Sequence, residues 1–184
     1  MTPPVIIDPR YHDAVLLNLD SALTSDAPLF EASVDLARKL RGIDVATAAH
    51  SSSPNCQHAL KSAGVDVLFD MCIDGIGGES RMAVLADAAH RLGVRPQRCV
   101  VVEDTCAGVT AGRDGGFAVV IGIDRTGQGD LLRCGADAIV ADLADVAVRR
   151  GDKRISTLPN ALTSYGQLIG ITSARESLMF LDYD

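Results

Sequence analysis

The stretch Val15-Leu16-Leu17-Asn18-Leu19-Asp20-Ser21-Ala22-Leu23-Thr24 decides the fold. An apolar strand runs into two polar residues, Asn18 and Asp20, spaced i and i+2 so that they point to one side. A second stretch, Cys99-Val100-Val101-Val102-Glu103-Asp104, repeats the design and ends in two acids. Placed side by side as parallel strands, the two bring Asp20 and Asp104 to one rim.

The surrounding chain supports a parallel arrangement. Apolar spacing predicts a helix over Leu29–Leu40 and a strand over Val45–Ala49. It then predicts a helix over Asn55–Gly64 and a weaker strand over Val67–Ile73. Arg81–Leu92, closed by Gly93, reads as an amphipathic helix. Strands follow at Arg98–Val102, Phe117–Ile121 and Ala138–Val140. Short helices are expected at Gly108–Asp114, Gly129–Arg133 and Leu143–Arg149. This alternation predicts an α/β fold, a Rossmann-like doubly wound parallel sheet with helices on both faces. Ligands of such folds bind beyond the carboxyl ends of the strands, near the switch in strand order. The loops that open at Asn18, His50, Asp74, Glu103 and Ile123 are therefore the ones to inspect.

Composition narrows the function classes. The chain has 184 residues, 47% hydrophobic and 22% charged, which excludes wholesale disorder. Seventeen basic against 24 acidic side chains give a net charge of −7, and aromatics make up 4% with no Trp. Neither a basic stripe nor a stacking platform is present, so nucleic acid is not an expected partner. No run reaches the ~20 apolar residues of a membrane helix. The start, MTPPVIIDPRYHD, lacks the basic segment and apolar run of a signal peptide. A cytoplasmic protein is expected. Its five cysteines, Cys56, Cys72, Cys99, Cys106 and Cys134, have no zinc spacing and read as reduced thiols.

Clustered carboxylates with room for water suit Mg²⁺. Hydroxyls at a strand end before a helix, as in Ala49-His50-Ser51-Ser52-Ser53-Pro54-Asn55, suit a phosphate group. At these residues the chain resembles the haloacid dehalogenase-like phosphohydrolases, over about residues 13–146. Their first motif, Asp-x-Asp-x-Thr after a strand, is similar to Asn18-Leu19-Asp20-Ser21-Ala22. Their second motif, a strand-end Ser or Thr, matches Ser51. Their fourth resembles Glu103-Asp104-Thr105-Cys106-Ala107-Gly108-Val109 and Ala111-Gly112-Arg113-Asp114-Gly115-Gly116-Phe117, as in the β-phosphoglucomutase-like branch.

The resemblance implies roles for particular residues. Asn18 stands at the position of the attacking carboxylate, and Asp20 at that of the general acid/base. Ser51 and Ser52 would face phosphate, and Asp20, Glu103 and Asp104 would form the rim that holds Mg²⁺. Alignment on the helix ending at Leu92 puts Glu79 at the position of the family's lysine. An amide is no nucleophile for covalent catalysis. Glu79 reverses a charge, and Arg81, two residues on, could substitute for the lysine only in part, given its different shape. Glu79 and Arg81 read as solvated surface charges, and His50 and His58 as residues with bland roles. The cap domain usually inserted after the first motif is absent. The expectation is a pseudoenzyme domain.

After Val148 the composition changes. Arg149-Arg150-Gly151-Asp152-Lys153-Arg154 reads as a domain edge. Residues 1–148 are expected to form one domain, 149–176 a linker and a helix, and 177–184 the first strand of a second domain. Phe180-Leu181-Asp182-Tyr183-Asp184 is similar to the opening of another first motif, with Asp182 as nucleophile, Asp184 as acid/base, and both as Mg²⁺ ligands. A degenerate domain followed by a complete one resembles the two-domain actinobacterial type of trehalose-6-phosphate phosphatase. That resemblance implies a C-terminal catalytic domain as partner and trehalose 6-phosphate as substrate of the whole protein. The alternative is an active phosphatase or phosphoglucomutase-like enzyme on a small sugar phosphate.

Overall fold

The structure is a computed structural model that describes residues 5–150, except 25–26, 53, 75–79, 126 and 128. The linker, helix and strand expected beyond residue 150 lie outside the described residues, as do Glu79, Asp182 and Asp184. Fourteen helices and strands can be followed among the described residues. In chain order they are β1 (Ile6–Ile7), β2 (Ala14–Asn18), α1 (Asp20–Thr24), α2 (Ala27–Arg41), β3 (Ala46–Ser51), α3 (Cys56–Ser62) and β4 (Met71–Asp74). Then come α4 (Arg81–Arg91), β5 (Cys99–Glu103), α5 (Cys106–Asp114), β6 (Val119–Ile123), α6 (Asp130–Arg133), β7 (Ala138–Val140) and β8 (Ala147–Val148).

Six strands form one parallel sheet in the order β4-β3-β2-β5-β6-β7. The chain winds outward from β2 to β4, returns to the centre with β5, and winds outward again. The switch point therefore lies between β2 and β5, where Leu17 pairs with Val102. On its other side β2 pairs Asn18 with His50. Asn18, His50 and Glu103 thus stand in one row at the carboxyl edge.

Both faces of the sheet are covered, so β2 and β5 have no exposed residue. Val15, Leu17, Val100 and Val102 pack on one face with Leu36 and Leu40 of α2 and Leu60 of α3. Leu16, Val101 and Val120 pack on the other with Leu85 and Ala89 of α4 and Val109 of α5. Ser80 caps α4 by accepting the Ala83 N–H, and Thr105 caps α5 by accepting the Gly108 N–H. α5 ends at Gly115, and Gly116 follows at φ 70°, as a turn there requires. Only Leu19–Asp26 separates β2 from α2, which leaves no room for a cap domain.

Three expectations need correction. Val67–Ile73 is not one strand: Asp66–Leu68 is a 3-10 turn, and only Met71–Asp74 is extended. Asp70 sets the boundary, because its carboxylate accepts the Thr47 N–H and its own N–H donates to the Thr47 carbonyl. Leu143–Arg149 is not a helix either. Asp142 caps a 3-10 turn over Leu143–Asp145, and β8 then pairs in parallel with β1 as a separate two-stranded sheet. Finally, the cysteines are not all free: Cys106 and Cys134 form a disulfide that joins the first turn of α5 to the end of α6. Cys56, Cys72 and Cys99 remain free thiols. Among the described residues no helix is long and apolar enough to cross a membrane.

Candidate functional site

The row of strand ends carries a connected polar network with Asn18 at its centre. The Asn18 amide Nδ2 donates to Glu103 Oε2 at 2.7 Å and to Asp104 Oδ1 at 3.2 Å. Its carbonyl Oδ1 accepts the Asp20 N–H at 2.7 Å. Flipping the amide would turn a carbonyl toward two carboxyl groups and an NH₂ toward an N–H, so the neighbours fix its orientation. Ser21 Oγ donates to Asp104 Oδ2 at 2.5 Å.

Asp20 turns the other way. It accepts from Ser51 Oγ and the Ser52 N–H, each at 2.6 Å, and from Ser52 Oγ at 2.9 Å. Burial acts to raise its pKa. The Ser51 and Ser52 hydrogen bonds, with the nearby Arg81 charge, outweigh it and hold the carboxyl below its ordinary range. The serine donors that the sequence offers to a phosphate group are thus engaged by a carboxylate of the same chain.

Arg81 is not a solvated surface charge. It opens α4, is one-third exposed, and its guanidinium lies 3.4 Å from Asp20 Oδ2 and 3.5 Å from Glu103 Oε1. A cation therefore stands between the two acids, supplied from the helix start just after the family's lysine position. His50 is not bland either. It is buried, and its Nε2 faces Glu103 Oε1 at 3.6 Å, beyond hydrogen-bond range; neither atom has a hydrogen-bond partner among the described residues. Burial and the Arg81 charge push His50 down to about 4. Burial pushes Glu103 up to about 7, against the Asn18 hydrogen bond and Arg81. Both shifts favour the neutral forms, so at pH 6 a neutral imidazole faces a protonated carboxyl, not an ion pair.

This arrangement predicts a pH signature. Glu103 gains a folded pKa of about 7 against an ordinary value of 4.5. The folded state binds the extra proton, so this stabilisation is complete below pH 4.5 and is lost as pH rises through 7. Glu103→Gln keeps the neutral form at every pH. The stability of Glu103→Gln relative to the parent chain should therefore rise by the order of 2–3 kcal/mol between pH 5 and pH 8. Urea unfolding at a series of pH values reads this directly. A gap that stays constant over that range contradicts the assignment.

The network also answers whether the rim suits Mg²⁺. A hard dication needs several oxygens turned into one space. Here the space between Glu103 and Asp104 is filled by the two N–H bonds of Asn18, Asp104 is further engaged by Ser21, and Arg81 lies against Asp20 and Glu103. Protein donors take the place of the cation, and the described residues do not fit Mg²⁺. Attack on phosphorus also has no carboxylate at residue 18 to carry it. The geometry brings together Asn18, Asp20, Ser51, Ser52, Glu103 and Asp104. Sequence reading missed Arg81 and His50 as members, although His50 was signalled by its place at the end of a strand beside Asn18.

Comparison with known proteins agrees with the fold. The family model described as haloacid dehalogenase-like hydrolase matches residues 8–116. The chain is 47% identical over 186 residues to a trehalose-phosphate phosphatase of Mycobacterium leprae, covering 98% of this chain and 42% of that protein. It is 41% identical over 170 residues to an uncharacterised glycosyl hydrolase of Mycobacterium tuberculosis, covering 88% of this chain and 13% of that protein. The chain thus spans less than half the length of either relative. Among solved structures, a hydrolase of the same family from Deinococcus radiodurans, with bound phosphate and sodium, superposes with a TM-score of 0.59 at 22% identity. That superposition covers 73% of this chain and 93% of the other.

Proposed function

This chain belongs to the haloacid dehalogenase-like hydrolase family, and from that premise we propose that it is a non-catalytic domain at the start of a longer trehalose-6-phosphate phosphatase. The observation that carries the reading is the Asn18 amide, which stands at the nucleophile position and donates to Glu103 and Asp104. A neutral amide gives no covalent phosphoryl intermediate, and the groups that would hold phosphate and cation are engaged by Asp20, Arg81 and Ser21.

The relatives support a modular role. That this chain covers 42% of one protein and 13% of another, under different printed names, supports reading it as a unit attached to different neighbours. Catalysis in the longer protein is assigned to a second domain that begins with Asp182 as nucleophile and Asp184 as acid/base. That domain would hold the Mg²⁺ and the trehalose 6-phosphate, and the present domain would act as its structural partner. The test is phosphate release from trehalose 6-phosphate by this chain beside a protein that continues past Asp184. Release by the longer protein alone supports the reading. Equal release by both would remove its basis.

A further inference from the structure

A second cluster of reactive groups lies apart from the Asn18 network, at the β4 edge of the sheet. Cys56 opens α3 and is fully buried, while Cys72 and Asp74 on β4 are half-buried. Cys72 and Asp74 are two residues apart on a strand and so project to the same side. The Sγ atoms of Cys56 and Cys72 and a carboxylate oxygen of Asp74 all lie within 4.8 Å of one another. The Gln57 N–H donates to Asp74 Oδ1 at 3.1 Å, which fixes the carboxylate from behind.

We propose that Cys56, Cys72 and Asp74 form a binding site for a thiophilic divalent cation of the zinc class. Two sulfurs and one carboxylate oxygen are the donors of a tetrahedral Zn²⁺ site with a fourth position left for water. Around Zn²⁺ the two sulfurs would stand about 3.8 Å apart, given Zn–S bonds of about 2.3 Å. Closing from the present spacing moves side chains by less than about an ångström and needs no change of fold. Soft thiolates select against Mg²⁺ and Ca²⁺, so this site is distinct in chemistry from the acidic rim. Binding is an exchange: the cation enters as two thiol protons leave, and no electrons move. Ordinary packing would explain the thiols and the Gln57 N–H alone would explain the Asp74 carboxylate; the convergence of all three donor atoms within 4.8 Å is what points to a cation. Sequence spacing hid the site, because the β3–α3–β4 crossover brings residues 56 and 72 together. The inference stands independently of the proposed function.

The experiment is titration of the 184-residue chain, with the Cys106–Cys134 disulfide intact and Cys56, Cys72 and Cys99 as free thiols, with Co²⁺, followed by displacement with Zn²⁺. One Co²⁺ per chain should bind, with a thiolate-to-cobalt charge-transfer band in the near ultraviolet. Zn²⁺ should abolish the band, and a large excess of Mg²⁺ should leave it. Cys72→Ser, on the half-buried edge strand, should lose the band while keeping the circular dichroism of the parent. Asp74→Asn should keep the band but weaken binding on the order of tenfold or more. Cys99→Ser should match the parent. Absence of a thiolate band, or a band that survives in both Cys56→Ser and Cys72→Ser, overturns the proposal.

Discussion

Asp182→Asn, in a protein that continues past Asp184, should abolish phosphate release from trehalose 6-phosphate, whereas Asn18→Ala should leave kcat/KM nearly unchanged. Removal of an attacking group costs several orders of magnitude in kcat, because the covalent route has no substitute. Asn18 sits at the corresponding position of the first domain but already lacks the carboxylate. On the proposed reading its role is structural, so its loss should appear in stability. Deleting the amide removes two N–H donors from Glu103 and Asp104. Asp104 keeps the Ser21 hydroxyl, but the buried Glu103 Oε2 loses its donor, which costs about 1–3 kcal/mol. Urea unfolding and steady-state kinetics on the same two variants separate the effects. A catalytically silent Asp182→Asn beside a lethal Asn18→Ala would reverse the assignment.

The second large effect is expected at Gly108. This residue lies in the first turn of α5, against the Glu103 carboxyl group. A Cβ there would lie 2.0 Å from Glu103 Oε2, 2.1 Å from Cδ and 2.5 Å from Oε1. Those separations are far inside van der Waals contact. The carboxyl cannot swing aside freely, because Glu103 is fully buried and Asn18 holds Oε2. Gly108→Ala must therefore shift α5 or expel Glu103 from its hydrogen bond. Overpacking alone costs about 1–3 kcal/mol. Losing the buried Asn18–Glu103 hydrogen bond adds about 1–3 kcal/mol more. Glu103→Ala in the same chain removes the clash, so the double variant should be more stable than the sum of the single losses predicts. A Gly108→Ala chain that unfolds within about 0.5 kcal/mol of the parent would show that Glu103 does not pack there.

Much of this architecture was legible in the chain because burial writes a strong pattern. The apolar runs at Val15 and Val100 belong to central strands covered on both faces, and the stripes at Leu36–Leu40 and Leu85–Ala89 belong to the helices that cover them. Strand ends could be placed because the runs stop at polar residues, so Asp20 and Asp104 emerged on one rim. What each of these groups does with its neighbours was not legible. Whether Asp20 faces a cation or the Ser51 and Ser52 donors depends on side-chain rotation, which leaves no periodic trace in sequence. Arg81 was misread for the same reason: at the start of an amphipathic helix a charged residue is ordinarily solvated, and only the turn of α4 toward β2 brings it to Asp20 and Glu103.

The other misreadings arise from pairings distant in sequence. β8 follows a helix-like run, and its extension depends on Ile6–Ile7, some 140 residues earlier. The Cys106–Cys134 bridge likewise joins residues 28 apart across β6, with no local motif to announce it. Val67 looked like part of a strand because β-branched residues favour extension, yet it is 66% exposed on a 3-10 turn.

The central claim is that this domain keeps the shape of a phosphatase core while its own side chains occupy the site. The most direct measurement is turnover of p-nitrophenyl phosphate by the 184-residue chain with Mg²⁺ present, alongside its Asp20→Ala variant. The account predicts no release above the buffer control for either chain, because residue 18 is an amide and Asp20 is engaged by Ser51 and Ser52. Mg²⁺-dependent turnover by the parent chain that disappears in Asp20→Ala would contradict it.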